Sequence, residues 1–199
     1  MTALSLLTED VLSEAVALQL LSEVGIPAQN VQLLGRNGFG YLRSKVANWK
    51  ELARRRYVLL LTDLDQLACP VAMRRDWLGA DPIPPQLWMR IAVREVESWL
   101  LADHDAMRQL MGRAGKLPAA PDELPDPKAH LLRLAQQAPR RVRQELVKEK
   151  DAMASQGIGY NTVLCEWVRT TWCAQRAAER SPSLRRTRLR LQDLRQALS

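Results

Sequence analysis

Tyr57-Val58-Leu59-Leu60-Leu61-Thr62-Asp63-Leu64-Asp65 is the stretch whose reading decides the fold. It follows three arginines, Arg54 to Arg56, which end a helix well, and it opens with five apolar residues in a row. Such a run, bounded by charges, predicts a strand buried on both faces, as in the interior of a parallel sheet. The run stops at two aspartates flanking a leucine. Side chains at i and i+2 of a strand point the same way, so Asp63 and Asp65 are expected to project together while Leu64 turns back. Open parallel sheets bind ligands outside the carboxyl ends of their strands. Two carboxylates side by side there repel unless a proton or cation lies between them, and Mg²⁺ or Mn²⁺ suits oxygen ligands. The plainer alternative is that the pair caps the next segment or bridges to Arg74 and Arg75; the position at a strand end favours the metal.

Upstream, residues 3–7 read as a first strand that ends at Thr8-Glu9-Asp10, again acidic. Residues 13–24 are helix formers, apolar nearly all round, stopped by Gly25 and Pro27. A second strand is expected over 31–34. Arg36-Asn37-Gly38-Phe39-Gly40 is a glycine-rich turn that matches no P-loop. A helix over 42–53 places Leu42, Val46, Trp49 and Leu52 on one face. The order β-α-β-α-β predicts a parallel sheet with helices on its faces.

Downstream, a short helix over 69–78, a proline-rich loop over 79–85 and a strand over 87–93 are expected. The chain then runs into Arg94-Glu95-Val96-Glu97-Ser98-Trp99-Leu100-Leu101-Ala102-Asp103, helical from 96 to Gly112. Glu95 and Glu97 stand where strand gives way to helix, a place where the helix dipole alone would favour acids. Residues 117–127 hold four prolines and read as a linker or lid. Asp126-Pro127-Lys128 starts a helix to about 137, with Pro127 suited to the first helical position. Further helices are expected over 140–153 and 162–179, with a turn at 157–161. The last, after Ser181-Pro182, carries a stripe of Leu184, Leu191, Leu194 and Leu198 among arginines. The expected division is an α/β core over 1–115 and a helical extension over 116–199 packed on it.

Composition bounds the function. The 199 residues suffice for one domain with a sizeable core. No apolar run approaches bilayer-spanning length and no basic leader precedes the first apolar residues, so a cytoplasmic protein away from membranes is expected. Cys69, Cys165 and Cys173 form no CxxC and read as reduced thiols. Residues 1–138 hold 16 Lys/Arg and 16 Asp/Glu; residues 139–199 hold 13 and 6, so the whole net charge of +7 lies in the last third. A basic segment near an acidic cluster suits a polyanionic substrate. Only 5% of residues are aromatic, which disfavours a pure nucleic-acid binder built on stacking.

Three separated strand ends thus carry acids: Glu9-Asp10, Asp63-x-Asp65 and Glu95-x-Glu97. On neighbouring strands they converge, and a carboxylate cluster holding Mg²⁺ can activate water for phosphoryl displacement. A glutamate after the first strand and a D-x-D after a later one resemble the TOPRIM domain of topoisomerases, primases and OLD-type and RloB-like nucleases. More closely, the chain resembles the DUF4276 family. The motifs that carry this are Leu7-Thr8-Glu9-Asp10-Val11-Leu12-Ser13-Glu14, Leu61-Thr62-Asp63-Leu64-Asp65, the run from Arg94 to Asp103, Asp126-Pro127-Lys128 and Ser181-Pro182-Ser183-Leu184. The E-x-E-x-W-L-L-A-D run is the most specific of them.

The resemblance implies a TOPRIM-like α/β fold: an open, mostly parallel sheet flanked by helices, with a helical C-terminal part. It implies Mg²⁺-dependent (or Mn²⁺-dependent) cleavage of DNA or RNA, as part of a bacterial anti-phage defence system. Glu9 would be general base or metal ligand, Asp63 and Asp65 metal ligands, and Glu95 and Glu97 the later acidic positions of the catalytic set. Lys128 or Arg185, Arg186, Arg188 and Arg190 would neutralise phosphate, although a lysine at a helix start is commonly just exposed. One departure stands out: TOPRIM domains usually have glycine after the first glutamate, where this chain has Asp10. It favours the alternative, a non-catalytic TOPRIM-like subunit whose leucine-striped last helix binds a second copy or a partner such as an ATPase.

Overall fold

The computed structural model describes residues 4–36, 38–113, 115–147 and 156–198. Four strands form one parallel sheet in the order β2-β1-β3-β4. They are β1 (Leu4–Leu7), β2 (Val31–Leu33), β3 (Tyr57–Asp63) and β4 (Leu87–Ala92). The expected central run is indeed interior: Leu7 of β1 lies opposite Leu60, and Asp63 lies opposite Ala92 of β4. Strand alternation splits its leucines between two cores. Leu59 and Leu61 join Leu4 and Leu6 on one face, while Val58 and Leu60 join Leu7 on the other. A strand with a core on each side has no polar face to show, hence the unbroken apolar run.

The smaller core is closed by α2 (Gly38–Ser44), α3 (Val46–Leu52) and α4 (Pro70–Leu78), through Leu42, Val46, Met73 and Trp77. The larger is closed by α1 (Val11–Glu23), α5 (Val96–Ala102), α6 (His104–Met111), α7 (Pro127–Gln136), α8 (Arg140–Leu146), α9 (Tyr160–Thr170), α10 (Ala174–Ala177) and α11 (Pro182–Ala197). One apolar cluster therefore joins Leu6 and Trp99 with Leu131, Trp167 and Leu184.

Several helices are shorter than their periodicity predicts. The glycine-rich stretch is already helical from Gly38, and the helix expected over 42–53 breaks at Lys45. The helix from 96 breaks at Asp103, whose side chain leaves α5 to accept from Ala106 N–H and so caps α6. Arg176 grips the same carboxylate with two bonds, 2.9 and 2.8 Å, which fixes the break from outside the helix. The helix expected over 140–153 ends at Leu146, and Val147 then bridges antiparallel to Gln156; residues 148–155 lie outside the described residues. The one expected over 162–179 starts at Tyr160 and stops at Thr170 before the single turn of α10.

The last helix turns its leucine stripe inward, against the alternative reading of it as a partner surface. Leu184, Leu191 and Leu194 are buried in the larger core, and Leu198 packs against it. The stripe offered to a partner is occupied by the molecule's own sheet-side helices, α1 and α10, and by β4. Ser181 Oγ accepts from Leu184 N–H at 3.2 Å and caps α11, while Asp122 accepts from Ser181 Oγ and Ser183 N–H at 2.7 and 2.8 Å. Among the described residues no helix is long and apolar enough to cross a membrane.

Candidate functional site

The carboxyl ends of β1 and β3 lie side by side, so the acids that follow them meet. Glu9, partly buried, turns Oε1 toward β3, where it accepts from Thr62 Oγ1 and from Asp63 N–H at 2.8 Å. Both bonds engage Oε1, which leaves Oε2 for a proton or a cation. Burial raises the Glu9 pKa, and the charges of Asp65 and Asp10 add to that against the two hydrogen bonds. Gly38 N–H donates to the Glu9 carbonyl at 2.9 Å, with φ of 81° that suits glycine, and ties the start of α2 to this corner.

Asp63 ends β3. Its Oδ1 is sealed from solvent and has no hydrogen-bond partner among the described residues. Burial is the chief reason its pKa stands well above the ordinary value, followed by the charges of Glu97, Glu9, Asp10 and Asp65. An acceptor left bare in such a place costs free energy on the order of 1–3 kcal/mol, more if charged. A proton or a cation on that oxygen would supply the missing partner.

Asp65 does not simply continue the strand. Leu64 is buried as expected, but Asp65 has φ of 50°, the left-handed region, and is exposed. Its N–H donates to Arg94 O at 2.8 Å and its carbonyl accepts from Arg94 Nη1 at 3.0 Å. Arg94, with φ of 65°, makes the matching turn after β4. The two turns lock together and carry Asp65 and Glu95 over the same sheet edge; burial raises the Asp65 pKa as well. Among the described residues neither aspartate forms an ion pair with Arg74 or Arg75.

Glu95 occupies the N-cap position of α5 yet makes no capping bond to it. Its Oε2 accepts instead from Lys128 N–H at 2.9 Å, the first turn of α7, and burial raises its pKa. Glu97 is 5% exposed, and its Oε1 accepts from the Tyr160 hydroxyl at 2.8 Å. Burial pushes its pKa up to about 7; Glu95 adds to this, while the Tyr160 bond and Lys128 oppose it. The same contact and burial raise the Tyr160 pKa. Lys128 Nζ lies 5.2 Å from the centroid of the Tyr160 ring, so this lysine belongs to the acidic corner and is not a freely exposed one. Asp126 accepts from Ala129 N–H at 2.7 Å and starts α7, as its motif predicts.

Asp10 is extended, φ −144° and ψ −178°, and accepts from Ser13 N–H at 2.8 Å. No glycine is needed there: any residue adopts that backbone, and aspartate gains the cap of α1. The structure thus brings Glu9, Asp63, Asp65, Glu95, Glu97 and Lys128 to one end of the sheet. It leaves the C-terminal arginines elsewhere. Arg188 Nε pairs with Glu23 at 3.5 Å, Arg190 with Asp193 at 3.0 Å, Arg185 is exposed, and Arg186 borders a groove beside β4.

Among the described residues no three His, Cys, Asp or Glu side chains are set as a ready cage for a metal ion. The donor set is nevertheless all oxygen, and Mg²⁺ is commonly held by one or two carboxylates with water and substrate phosphate completing the shell. Asp63 Oδ1 is suited to that, while Glu9 Oε2 is open to a cation or a proton. Thr62, Arg94 and Tyr160 were not singled out from the sequence. Thr62 sits within the quoted strand motif, and Tyr160 follows Gly157 and Gly159, both of which pass so close to Glu145 that a side chain would collide. That Gly-x-Gly-Tyr spacing was the available signal.

Neither the curated proteins nor the solved structures contain a match to this sequence. The family model described as "Domain of unknown function (DUF4276)" matches residues 8–166, a span that runs from Thr8, just before Glu9, past Tyr160. The chain belongs to the DUF4276 family.

Proposed function

We propose that this chain is a Mg²⁺- or Mn²⁺-dependent phosphodiesterase that cleaves DNA or RNA at the carboxylate end of its sheet, with a TOPRIM-like disposition of acids. The observation that carries the reading is the partnerless buried Oδ1 of Asp63, with the charges of Glu97 and Glu9 acting on it. Five carboxyls with raised pKa values, Glu9, Asp63, Asp65, Glu95 and Glu97, gathered at one edge of the sheet suit a place built for something other than stability. When bound, the cation would supply an acidic water and neutralise phosphate charge. Asp63 and Asp65 offer it anionic oxygens. Glu9, fixed through Oε1, keeps Oε2 to take the proton of the attacking water. Glu97, clamped by Tyr160, and Glu95, clamped by the start of α7, set the far wall beside Lys128, whose charge suits a phosphate oxygen. Because burial favours the protonated form of these acids, cation affinity rises with pH.

The test is incubation of end-labelled single- and double-stranded DNA and RNA with the protein in Mg²⁺, Mn²⁺ or EDTA. Cleavage is expected with metal only, and Glu9→Gln should lower its rate by roughly 100-fold or more. Cleavage that survives EDTA or Glu9→Gln would remove the reading. A non-catalytic subunit that binds a partner such as an ATPase is the second reading. The observation favouring it is that the acids are turned onto their own neighbours and form no three-ligand cage among the described residues.

A further inference from the structure

β4 is the outer strand: it pairs with β3, and no other described strand pairs with it. Along it, between α4 and α11, run two cavities of about 200 and 450 Å³ that share Arg74 and Arg90. Arg186 lines the first and Arg190 the second, so four arginines line the two adjoining cavities. Against them stands Asp193, already paired with Arg190 at 3.0 Å. Nε of Arg90 and Nε1 of Trp88, which also lines the groove, are buried donors without an acceptor among the described residues. Burial and then the charges of Arg190 and Arg74 push the Arg90 pKa down to about 10. Like charges gathered around unused donors are unfavourable in isolation. An anion that accepts from them removes both penalties, and planar guanidinium groups match phosphate oxygens two at a time.

An acidic peptide adding to the sheet edge is the competing occupant, and both ends of that edge are already capped. Leu87 N–H is taken by Pro84 O at 2.9 Å, and Val93 O by Ser98 Oγ at 3.2 Å. Only the stretch between them is open to a new strand.

We infer that the groove formed by Arg74, Arg90, Arg186, Arg190 and Trp88 binds phosphate groups, presented by an oligonucleotide backbone or by a free phosphate or nucleotide. It extends the reading of Arg186 and Arg190 as nucleic-acid contacts, and it does not depend on catalysis at the carboxylates. Two of its arginines, Arg74 and Arg90, lie in the part of the chain that carries no net charge.

The experiment is fluorescence anisotropy in EDTA with a labelled oligonucleotide, challenged by inorganic phosphate, ADP and an oligoglutamate peptide. Direct binding of phosphate and ADP is read by thermal shift. Arg74→Glu/Arg190→Glu should weaken binding by at least about tenfold, the scale of one charge-assisted hydrogen bond. Each lost phosphate contact should flatten the log–log salt slope by about 0.7–0.9. Trp88→Phe keeps an aromatic side chain, removes the donor and should weaken binding several-fold with the fold intact. Displacement of the oligonucleotide by phosphate identifies a nucleic-acid backbone as the source; binding of phosphate and ADP without the oligonucleotide identifies a free phosphate ligand. Either upholds the inference. It is overturned if no phosphate ligand binds, if only oligoglutamate binds, or if both groove variants bind as the parent does. Binding is read in EDTA, where no metal-dependent cleavage occurs, so failure of the catalytic reading would leave this result standing.

Discussion

Glu97 shows at the scale of one residue what the site demands. Its carboxyl is almost wholly buried, its pKa is pushed to about 7, and one tyrosine hydroxyl holds it. Because the folded-state value lies above the ordinary 4.5, the protonated acid favours the fold. That contribution is complete below about pH 4.5 and is lost as pH rises through 7, a change of roughly 3 kcal/mol. Asp63, Glu9 and Glu95 are shifted in the same direction. In metal-free buffer the parent should therefore lose stability between pH 5 and pH 8, by urea titration, more steeply than Glu97→Gln, whose amide keeps an acceptor for Tyr160. Equal slopes would mean that Glu97 does not titrate in the fold. Glu9, Asp63 and the E-x-E pair were legible from the sequence because strand ends are marked by the end of an apolar run. The orientation of Asp65 was not, since the left-handed turn depends on Arg94, 29 residues on. Nor was Tyr160, which reaches Glu97 across 63 residues of chain.

At the scale of elements, the E-x-E-x-W-L-L-A-D run serves two ends. Its acids face the site. Trp99 and Asp103 anchor the C-terminal helices: Trp99 Nε1 donates to Ser183 Oγ at 2.7 Å, and Asp103 holds Arg176. β1 and β3, buried on both faces, were readable as short apolar runs ended by acids. The breaks at Lys45, Asp103 and Thr171 were not, because an apolar period runs through them and the contacts that impose at least the second come from distant elements. The leucines of α11 follow the same lesson. Helical spacing announces an apolar face without saying what covers it, and here the covering is the protein's own core. Leu191→Ala should accordingly cost about 2–5 kcal/mol in urea denaturation, with no change in oligomeric state by gel filtration. An unchanged stability with a lost oligomer would return the stripe to a partner.

For the whole molecule, a parallel sheet sets every strand's carboxyl end at one edge, and two cores hold that edge rigid from both sides. The alternation of elements made this class readable; the order β2-β1-β3-β4, which puts Glu9 beside Asp63, is fixed only by pairing in space. The charge excess of the last third was legible, but the arginine groove draws half its arginines from the neutral part. A cation at the acidic edge would bind only the folded protein, so stability reveals it without a known substrate. The measurement is the melting temperature of the parent and of Asp63→Asn at pH 8, with Mg²⁺ titrated from zero. Without metal the variant should melt at or above the parent, because it no longer buries a carboxyl among like charges. With Mg²⁺ the parent should rise by RT ln(1 + [Mg²⁺]/Kd), about 2.7 kcal/mol at a hundred times Kd, and the variant should not. A parent that Mg²⁺ leaves unmoved, or a metal-free variant that melts well below it, would contradict the account.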